Sequence, residues 1–293
     1  MRRARLVYNP KAGRWRTPRL VRSLVDILAP AGFRLEAQPT DSPGHAEKLA
    51  RAAANEGCEV VFAFGGDGTV REAAAGLLGT DTALGPIPGG TTNVVAHSLS
   101  LPSRPQAAAS ALIRCPIMEI DVGLCGEQIF LMQATAGLDA AILSHTSPRL
   151  KRMLGKGAVL MAALTQWPRY PYPPIELIAD GRSFTPSFAA VCNLPHYAGR
   201  WRLAPQASCQ DRSLDLLLFY GSGPLPTLGF ARDLVRGKHV ARPDVELLPV
   251  HQVELRVPRD LCLQDDGDAL RPGLPATIRL ASDRLRILAP MAG

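Results

Sequence analysis

Residues 60–69, VVFAFGGDGT, constrain the fold of this chain more than any other stretch. The five apolar residues at 60–64 suit a short buried strand. Gly65, Gly66 and Gly68 follow it within four positions. Glycine accepts positive φ and lets backbone amides approach a ligand closely. Residues 69–78 carry a helical pattern, so the glycines occupy a strand-to-helix turn. Such a turn presents free N–H groups and the positive end of a helix dipole to a phosphate. Asp67 stands inside it, where a carboxylate repels a phosphate unless a proton or a cation intervenes. A purely structural glycine turn needs no acid there, although the turn taken alone leaves that plain reading open.

Two more turns of the same kind change the balance. GPIPGGTTNVVA at 85–96 places Gly90, the hydroxyls of Thr91 and Thr92 and the amide of Asn93 ahead of a short helix. VYNPKAG at 7–13 runs from a strand into a turn through Asn9, Pro10, Lys11 and Gly13. Strand patterns at 4–9, 33–40, 59–64 and 84–87 alternate with helical patterns at 17–29, 43–56, 69–78 and 105–113. That alternation predicts a parallel α/β sheet with right-handed crossovers. Its turns meet at one sheet edge, where such proteins bind ligands.

The pattern changes after Cys115. Strand-like runs dominate: IMEIDVGL, QIFLMQA, the IELIAD-GR-SFTPSFAAVCN hairpin with Asp180-Gly181 as its turn, SLDLLLFY, VELLPVHQVELRVP, LCLQDDGD and ATIRLASDRLRILAP. They predict an antiparallel sandwich, interrupted by a helix at 225–235 and a helical segment at 147–167. The domain boundary falls near residue 118.

With 293 residues, 46% hydrophobic and 20% charged, the chain has room for two ordinary folded domains. The formal charge of +7 favours anionic partners such as nucleotides or acidic lipid headgroups, though part of the excess reads as solvated arginine. Aromatic residues are only 5%, too few for the stacking platform of a nucleic-acid binder. None of the six cysteines forms a CxxC pair, which argues against a zinc or thioredoxin-type centre. No signal peptide and no bilayer-length apolar run is evident, so the cytoplasm is the expected compartment.

The order NPKAG, GGDGT, PGGTTN resembles the catalytic domain shared by diacylglycerol kinases, sphingosine kinases and bacterial lipid kinases of the YegS type. NAD kinases and phosphofructokinases share the GGDGT turn more distantly. The resemblance extends over nearly the whole chain. It implies an α/β plus all-β protein: a Rossmann-like parallel α/β nucleotide-binding domain at 1–118 and an antiparallel β-sandwich lipid-substrate domain at 119–283. It leaves open a return of residues 284–293 to the first domain. It also implies ATP and Mg2+, transfer of a γ-phosphoryl group to a lipid hydroxyl, peripheral contact with the inner membrane face, and no nucleic-acid partner. A homodimer is compatible with it.

By the same resemblance, Asn9, Pro10, Lys11, Gly13, Gly65, Gly66, Asp67, Gly68, Thr69, Gly90, Thr91, Thr92 and Asn93 line the nucleotide. Thr40 joins them by similarity, or else caps the next helix with Asp41 and Ser42. The proton acceptor is Asp67 or lies in Gln264-Asp265-Asp266-Gly267-Asp268, which resembles the DGE element of bacterial diacylglycerol kinases. Asp266 matches the aspartate, and Asp268 replaces the glutamate with a side chain one methylene shorter. QDRSLDLLLF resembles the DGxLD metal segment, which implies Asp211 with the carbonyls of Leu214 and Leu216 as ligands and Asp121 linked through water. Several positions depart from the family pattern. Arg212 stands where glycine is usual, Val94 where aspartate is usual, and 193–207 lacks a glycine triplet. These departures keep a catalytically inactive nucleotide binder in view beside an NAD kinase-like enzyme. The latter calls for a downstream Asn-Glu pair that is not found. In 147–167, Arg149, Lys151, Arg152 and Lys156 alternate with Leu150, Met153, Leu154, Val159, Leu160 and Met161, which suits either a membrane face or a helix packed on the sandwich.

Overall fold

The computed structural model describes residues 2–12, 18–146, 156–256, 263–269 and 276–290. Two compact units emerge, one formed by 1–122, 198–200 and 282–293, the other by 123–197 and 201–281.

In the first unit, β1 (Arg2–Tyr8), β2 (Phe33–Pro39), β3 (Val60–Gly65) and β4 (Ala83–Pro88) pair in parallel, in the order β2-β1-β3-β4. The strand Leu285–Leu288 adds to β4 in parallel and carries β5 (Ile117–Ile120) antiparallel on its far side. Every residue of β3 and β4 is buried, as expected for central strands covered on both faces. Helix α1 (Pro18–Leu28) turns Leu20, Leu24 and Leu28, spaced four apart, into the core beside Leu6, Phe33 and Phe62. Helix α2 (His45–Asn55) buries only alanines, Ala46, Ala50 and Ala53. Those small residues let α3 (Asp67–Leu77) approach so closely that a Cβ on Gly76 would lie 2.3 Å from the Glu47 carbonyl oxygen. Helix α3 begins two residues earlier than its periodicity predicts. Gly66 is extended (φ −83°, ψ 179°) and leads straight into it, which puts Asp67 and Gly68 in its first turn. Two further helices, α4 (Val94–Ser98) and α5 (Pro105–Leu112), follow β4.

The second unit holds antiparallel strands β6 (Gly123–Cys125), β7 (Gln128–Phe130), β8 (Gln133–Ala136), β9 (Glu176–Ala179), β10 (Arg182–Phe184), β11 (Phe188–Cys192), β12 (His196–Tyr197), β13 (Trp201–Arg202), β14 (Leu214–Phe219), β15 (Val245–Val250), β16 (Gln252–Arg256), β17 (Leu263–Asp265), β18 (Asp268–Ala269) and β19 (Ala276–Leu280). Among the described residues they form two six-stranded sheets, β10-β9-β16-β19-β6-β7 and β15-β14-β11-β8-β17-β18, with β12–β13 as a separate hairpin. Both sheets contribute side chains to one core, including Phe130, Val191, Leu216, Val253 and Ile278. The α/β plus antiparallel all-β architecture is thus the one the sequence predicts.

Several runs that read as single strands are split between sheets. VELLPVHQVELRVP divides at His251 into β15 and β16. The Asp180 carboxylate accepts the backbone amides of His251 (3.0 Å) and Gln252 (2.9 Å), fixing the corner. Asp180 and Gly181 have φ of 45° and 81°, the left-handed pair a tight hairpin turn requires. QIFLMQA likewise divides into β7 and β8 around Leu131 and Met132.

All described cysteines are free thiols, and no described helix is long and apolar enough to cross a membrane. Helix Lys156–Gln166 lies within the segment read as helical, whereas Arg149, Lys151 and Arg152 fall outside the described residues, as does Gly13.

Candidate active site

Because β1 to β4 run parallel, their C-terminal ends share one edge. Backbone bonds tie the chain together where it leaves them: Asn9 N–H to the Phe64 carbonyl (3.0 Å), Thr40 N–H to that of Tyr8 (2.8 Å) and Gly89 N–H to that of Gly65 (2.7 Å). The Asn9 side chain accepts the Lys11 amide at 2.9 Å, an Asx turn that leaves Pro10 and Lys11 exposed. Thr40 joins this edge and does not cap α2, whose N-cap is Gly44 without a side-chain bond.

The two glycine-rich turns clasp each other. A Cβ on Gly90 would come within 2.6 Å of the Gly66 Cα, so position 90 admits only glycine without pushing the turns apart. Asn93 adopts a left-handed conformation (φ 49°). Its side chain accepts the Gly90 amide at 2.7 Å and donates to the Gly90 carbonyl at 3.0 Å, closing the turn on itself.

Asp67 joins one turn to the other. Its carboxylate accepts the Val95 amide at 3.1 Å, together with the amides of Val94 and Asn93 and the Thr92 hydroxyl. An acid inside a phosphate-type turn is therefore accounted for: its charge faces the N-terminus of α4. Burial pushes the carboxyl above its ordinary range, and these donors only partly offset it. Thr92 is engaged with Asp67, and Thr91 is exposed. Thr69 is buried against the turn, its hydroxyl 2.5 Å from where a Gly65 Cβ would be, which gives it a packing role. The first turn of α3 has no side-chain cap, and a Cβ on Gly68 would meet nothing within 4 Å. Unclaimed amides at an open helix start are suited to an anionic oxygen.

In the second unit, the acidic turn between β17 and β18 separates its two candidates. Asp266, left-handed at φ 44°, is buried, and its oxygens accept the amides of Leu131 (2.7 Å), Met132 (2.8 Å) and Gln133 (3.1 Å). A carboxylate so occupied anchors the β7–β8 connection. Asp268 is exposed.

Sequence reasoning missed a group behind this turn. Asp139, in the first turn of α6 (Leu138–Ser144), is half-buried and accepts the Thr135 hydroxyl (2.6 Å), the Tyr197 hydroxyl (3.2 Å) and the Gln264 amide (3.2 Å). Gln264 in turn accepts the Gly267 amide at 2.8 Å, so the network reaches the acidic turn itself. Burial raises the Asp139 carboxyl against the pull of these donors. A signal was present: β8, Gly137 (φ 123°) and an acid in the next helical turn repeat the strand-glycine-helix grammar of GGDGT.

The segment resembling a metal site has oxygen donors only, as a hard divalent cation prefers. Asp211 is exposed and accepts the Ser213 amide at 3.1 Å, while Asp215 is buried and accepts the Gln206 amide at 2.9 Å. Burial raises the Asp215 carboxyl; Gln206 opposes this and the nearby charge of Asp211 adds to it, a pairing that a cation would relieve. Leu214 opens β14 and pairs with Val250, and Leu216 pairs with Val191 on one side and Leu248 on the other. Asp121, fully buried, accepts the Arg284 guanidinium at 3.1 Å. Among the described residues, no group of three His, Cys, Asp or Glu side chains could hold a metal.

Arg212 (φ 62°), where the family resemblance expects glycine, and Ala198 (φ 49°), within the segment that lacks the glycine triplet, take left-handed backbone. Ala198→Gly should therefore stabilise the protein. The left-handed penalty of about 1–2 kcal/mol, less glycine's entropy cost of about 0.5–1 kcal/mol, leaves a gain of roughly 0.5–1 kcal/mol. A thermal melt that shows no rise would remove strain at this turn.

Comparison with known proteins agrees with this geometry. The family described as diacylglycerol kinase catalytic domain matches residues 3–125, and the YegS C-terminal NAD kinase beta sandwich-like domain matches 133–289. A Chromohalobacter salexigens protein named "Probable lipid kinase YegS-like" is 35% identical over 254 residues, covering 85% of this chain and 82% of its own. A diacylglycerol kinase of Bacillus subtilis is 28% identical over 273 residues, covering 92% and 90%. The crystal structure of a diacylglycerol kinase from Bacillus anthracis superposes with a TM-score of 0.74 at 21% identity over 99% of this chain and 97% of that one, a likeness of fold. With both domain families matched in order and a relative above 30% identity spanning most of the chain, this protein belongs to the diacylglycerol kinase and YegS-like lipid kinase family.

Proposed function

We propose that the protein is an ATP-dependent phosphotransferase that moves the γ-phosphoryl group to a hydroxyl of a lipid such as diacylglycerol or a sphingoid base. The observation that carries this reading is the clasp of the two glycine-rich turns, which leaves the start of α3 open and its amides unclaimed. Asn9, Thr40, Gly66, Gly68, Gly90 and Thr91 hold the nucleotide phosphates at the edge of the parallel sheet, while Asp67 and Asn93 fix the shape of the two turns. A hard divalent cation, magnesium on this reading, would be held by Asp211 with Asp215 and would supply charge neutralisation. Asp268 takes the proton of the lipid hydroxyl as its oxygen bonds to the γ-phosphorus and the bond to the β–γ bridging oxygen breaks, releasing ADP. Contact with the membrane is peripheral, since the acyl chains of the acceptor hold it in a bilayer.

Labelled ATP offered with diacylglycerol, monoacylglycerol, ceramide, sphingosine and NAD tests the assignment. Label in a lipid supports it, label in NAD alone gives the NAD kinase reading, and no label in any acceptor leaves a nucleotide binder without catalysis. Asp268→Asn is expected to lower turnover by about a hundredfold or more, while Asp268→Glu, which keeps the carboxylate, retains activity. An active Asp268→Asn enzyme would remove Asp268 as the acceptor.

A further inference from the structure

Helix Pro224–Val235 of the second unit buries one face and leaves an apolar one open. Phe230 and Leu234 pack into a core with Ala190, Cys192, Leu217 and Phe219. On the opposite side, Leu225 is 80%, Leu228 51% and Val235 59% exposed. At 3.6 residues per turn, Leu225, Leu228, Arg232, Val235 and Arg236 fall within an arc of about 100°. The outward face of a surface helix is normally polar. Among the described residues, nothing covers these three aliphatic side chains.

The charges on the same surface have one sign. Arg232, Arg236 and, just past the helix, Lys238 are exposed. The one acid between 224 and 238, Asp233, is withdrawn: its side chain is 13% exposed and it pairs with Arg242 at 2.8 Å as well as with Arg232. The helix start is tied to a second apolar surface, because the Trp167 indole donates to the Pro224 carbonyl at 3.0 Å. Trp167 follows helix Lys156–Gln166, whose Met161 and Leu164 are 55% and 61% exposed. Trp167 itself is half-buried, and tryptophan favours the bilayer–water boundary.

We propose that the Leu225–Leu228–Val235 face, with its arginines and Lys238, is the surface on which the protein lies against an anionic lipid bilayer. The proposal rests on the lipid kinase reading for its biological sense and on this helix for its location. A second copy of the chain is a poor occupant, since two such faces would oppose cation to cation. One short helix face also falls below the roughly 1,200 Å² that a stable interface buries. An anionic bilayer answers both features: aliphatic side chains enter the headgroup region while the cations meet lipid phosphates.

Vesicle sedimentation with phosphatidylglycerol–phosphatidylcholine mixtures and with pure phosphatidylcholine tests it. The parent should bind the anionic vesicles, and more weakly as salt rises. Leu225→Ser/Leu228→Ser/Val235→Ser should lose at least about tenfold in partitioning at every salt concentration. Arg232→Gln/Arg236→Gln/Lys238→Gln should bind weakly and lose the salt dependence. All these positions are exposed, so both variants fold, and both should match the parent in turnover on a short-chain diacylglycerol dispersed as monomers. Vesicle binding without turnover on that substrate supports docking while removing the kinase reading. Variants that sediment like the parent, or a parent that ignores anionic vesicles, overturn the docking face while leaving turnover to be judged separately. A parent dimer that the aliphatic variant converts to monomer also overturns it, in favour of self-association.

Discussion

Replacing Gly66 with valine is expected to leave a folded protein that no longer binds ATP. Gly66 is extended, a conformation open to any residue, and a β-carbon there would come no closer than 3.5 Å to its neighbour, the Gly90 Cα. The fold therefore tolerates a side chain at this position. The site does not, because the added methyl groups occupy the approach to the start of α3, where the uncapped amides lie. ATP affinity should fall by about a hundredfold or more, in line with the loss of several charge-assisted bonds at once, with little change in melting temperature. Gly90→Ala makes the control. Its β-carbon would meet backbone at 2.6 Å, so stability and binding should be lost together. Titration calorimetry beside a melting curve reads both quantities. Undiminished ATP binding by a folded Gly66→Val protein would sink the phosphate-turn assignment.

Asp67→Asn should have an effect of similar size through a different route. The substitution keeps the size of the side chain but turns an NH2 group toward amides that already donate to the carboxylate, loosening α4 and the GGTTN turn. If Asp67 anchors the turns, the KM for ATP rises as turnover falls, with a combined loss in kcat/KM of about a hundredfold. If it were the proton acceptor, kcat would fall alone. The donors around it favour the first outcome. A pH signature accompanies it. Since burial raises the Asp67 carboxyl in the folded state, the folded protein binds more protons than the unfolded chain above about pH 4. Its contribution to stability is thus greatest below that pH, declines as pH rises toward the folded-state value and then levels off. Denaturation midpoints measured across this range should decline in the parent and lack that component in Asp67→Asn. Identical profiles would mean that Asp67 titrates alike in both states.

What the sequence revealed about the site was local chemistry. Glycines at a strand end, Asn9 and Asn93 at turn positions and alternating strand and helix periods are legible because each depends on neighbours a few residues away. The α/β class and the antiparallel second half follow from the same periodicities. The partners of the acids were not legible. Asp67 meets α4, Asp266 meets the amides of Leu131, Met132 and Gln133, and Asp139 meets Tyr197 and Gln264, all across long sequence separations. Nothing in a carboxylate's immediate neighbours reveals whether its oxygens are free or committed, so Asp266 stood among the candidate proton acceptors with no sign of the three amides it holds. Strand breaks at His251 and at Leu131 were hidden for the same reason, because distant aspartates impose them.

The strand Leu285–Leu288 lies between β4 and β5 in the sheet of the first unit. During translation that place in the ladder must stay vacant until the whole second unit has left the ribosome. Until then β4 presents an unpaired apolar edge and β5 has no neighbour, the kind of exposed edge that templates aggregation. Synthesis therefore couples the two halves in time: the sheet that bears the glycine turns is completed only once the sandwich has emerged. A nascent chain stalled before residue 285 should be captured by chaperones and cleaved readily by protease, whereas release of the following strand should bring protection to β4 and β5 together.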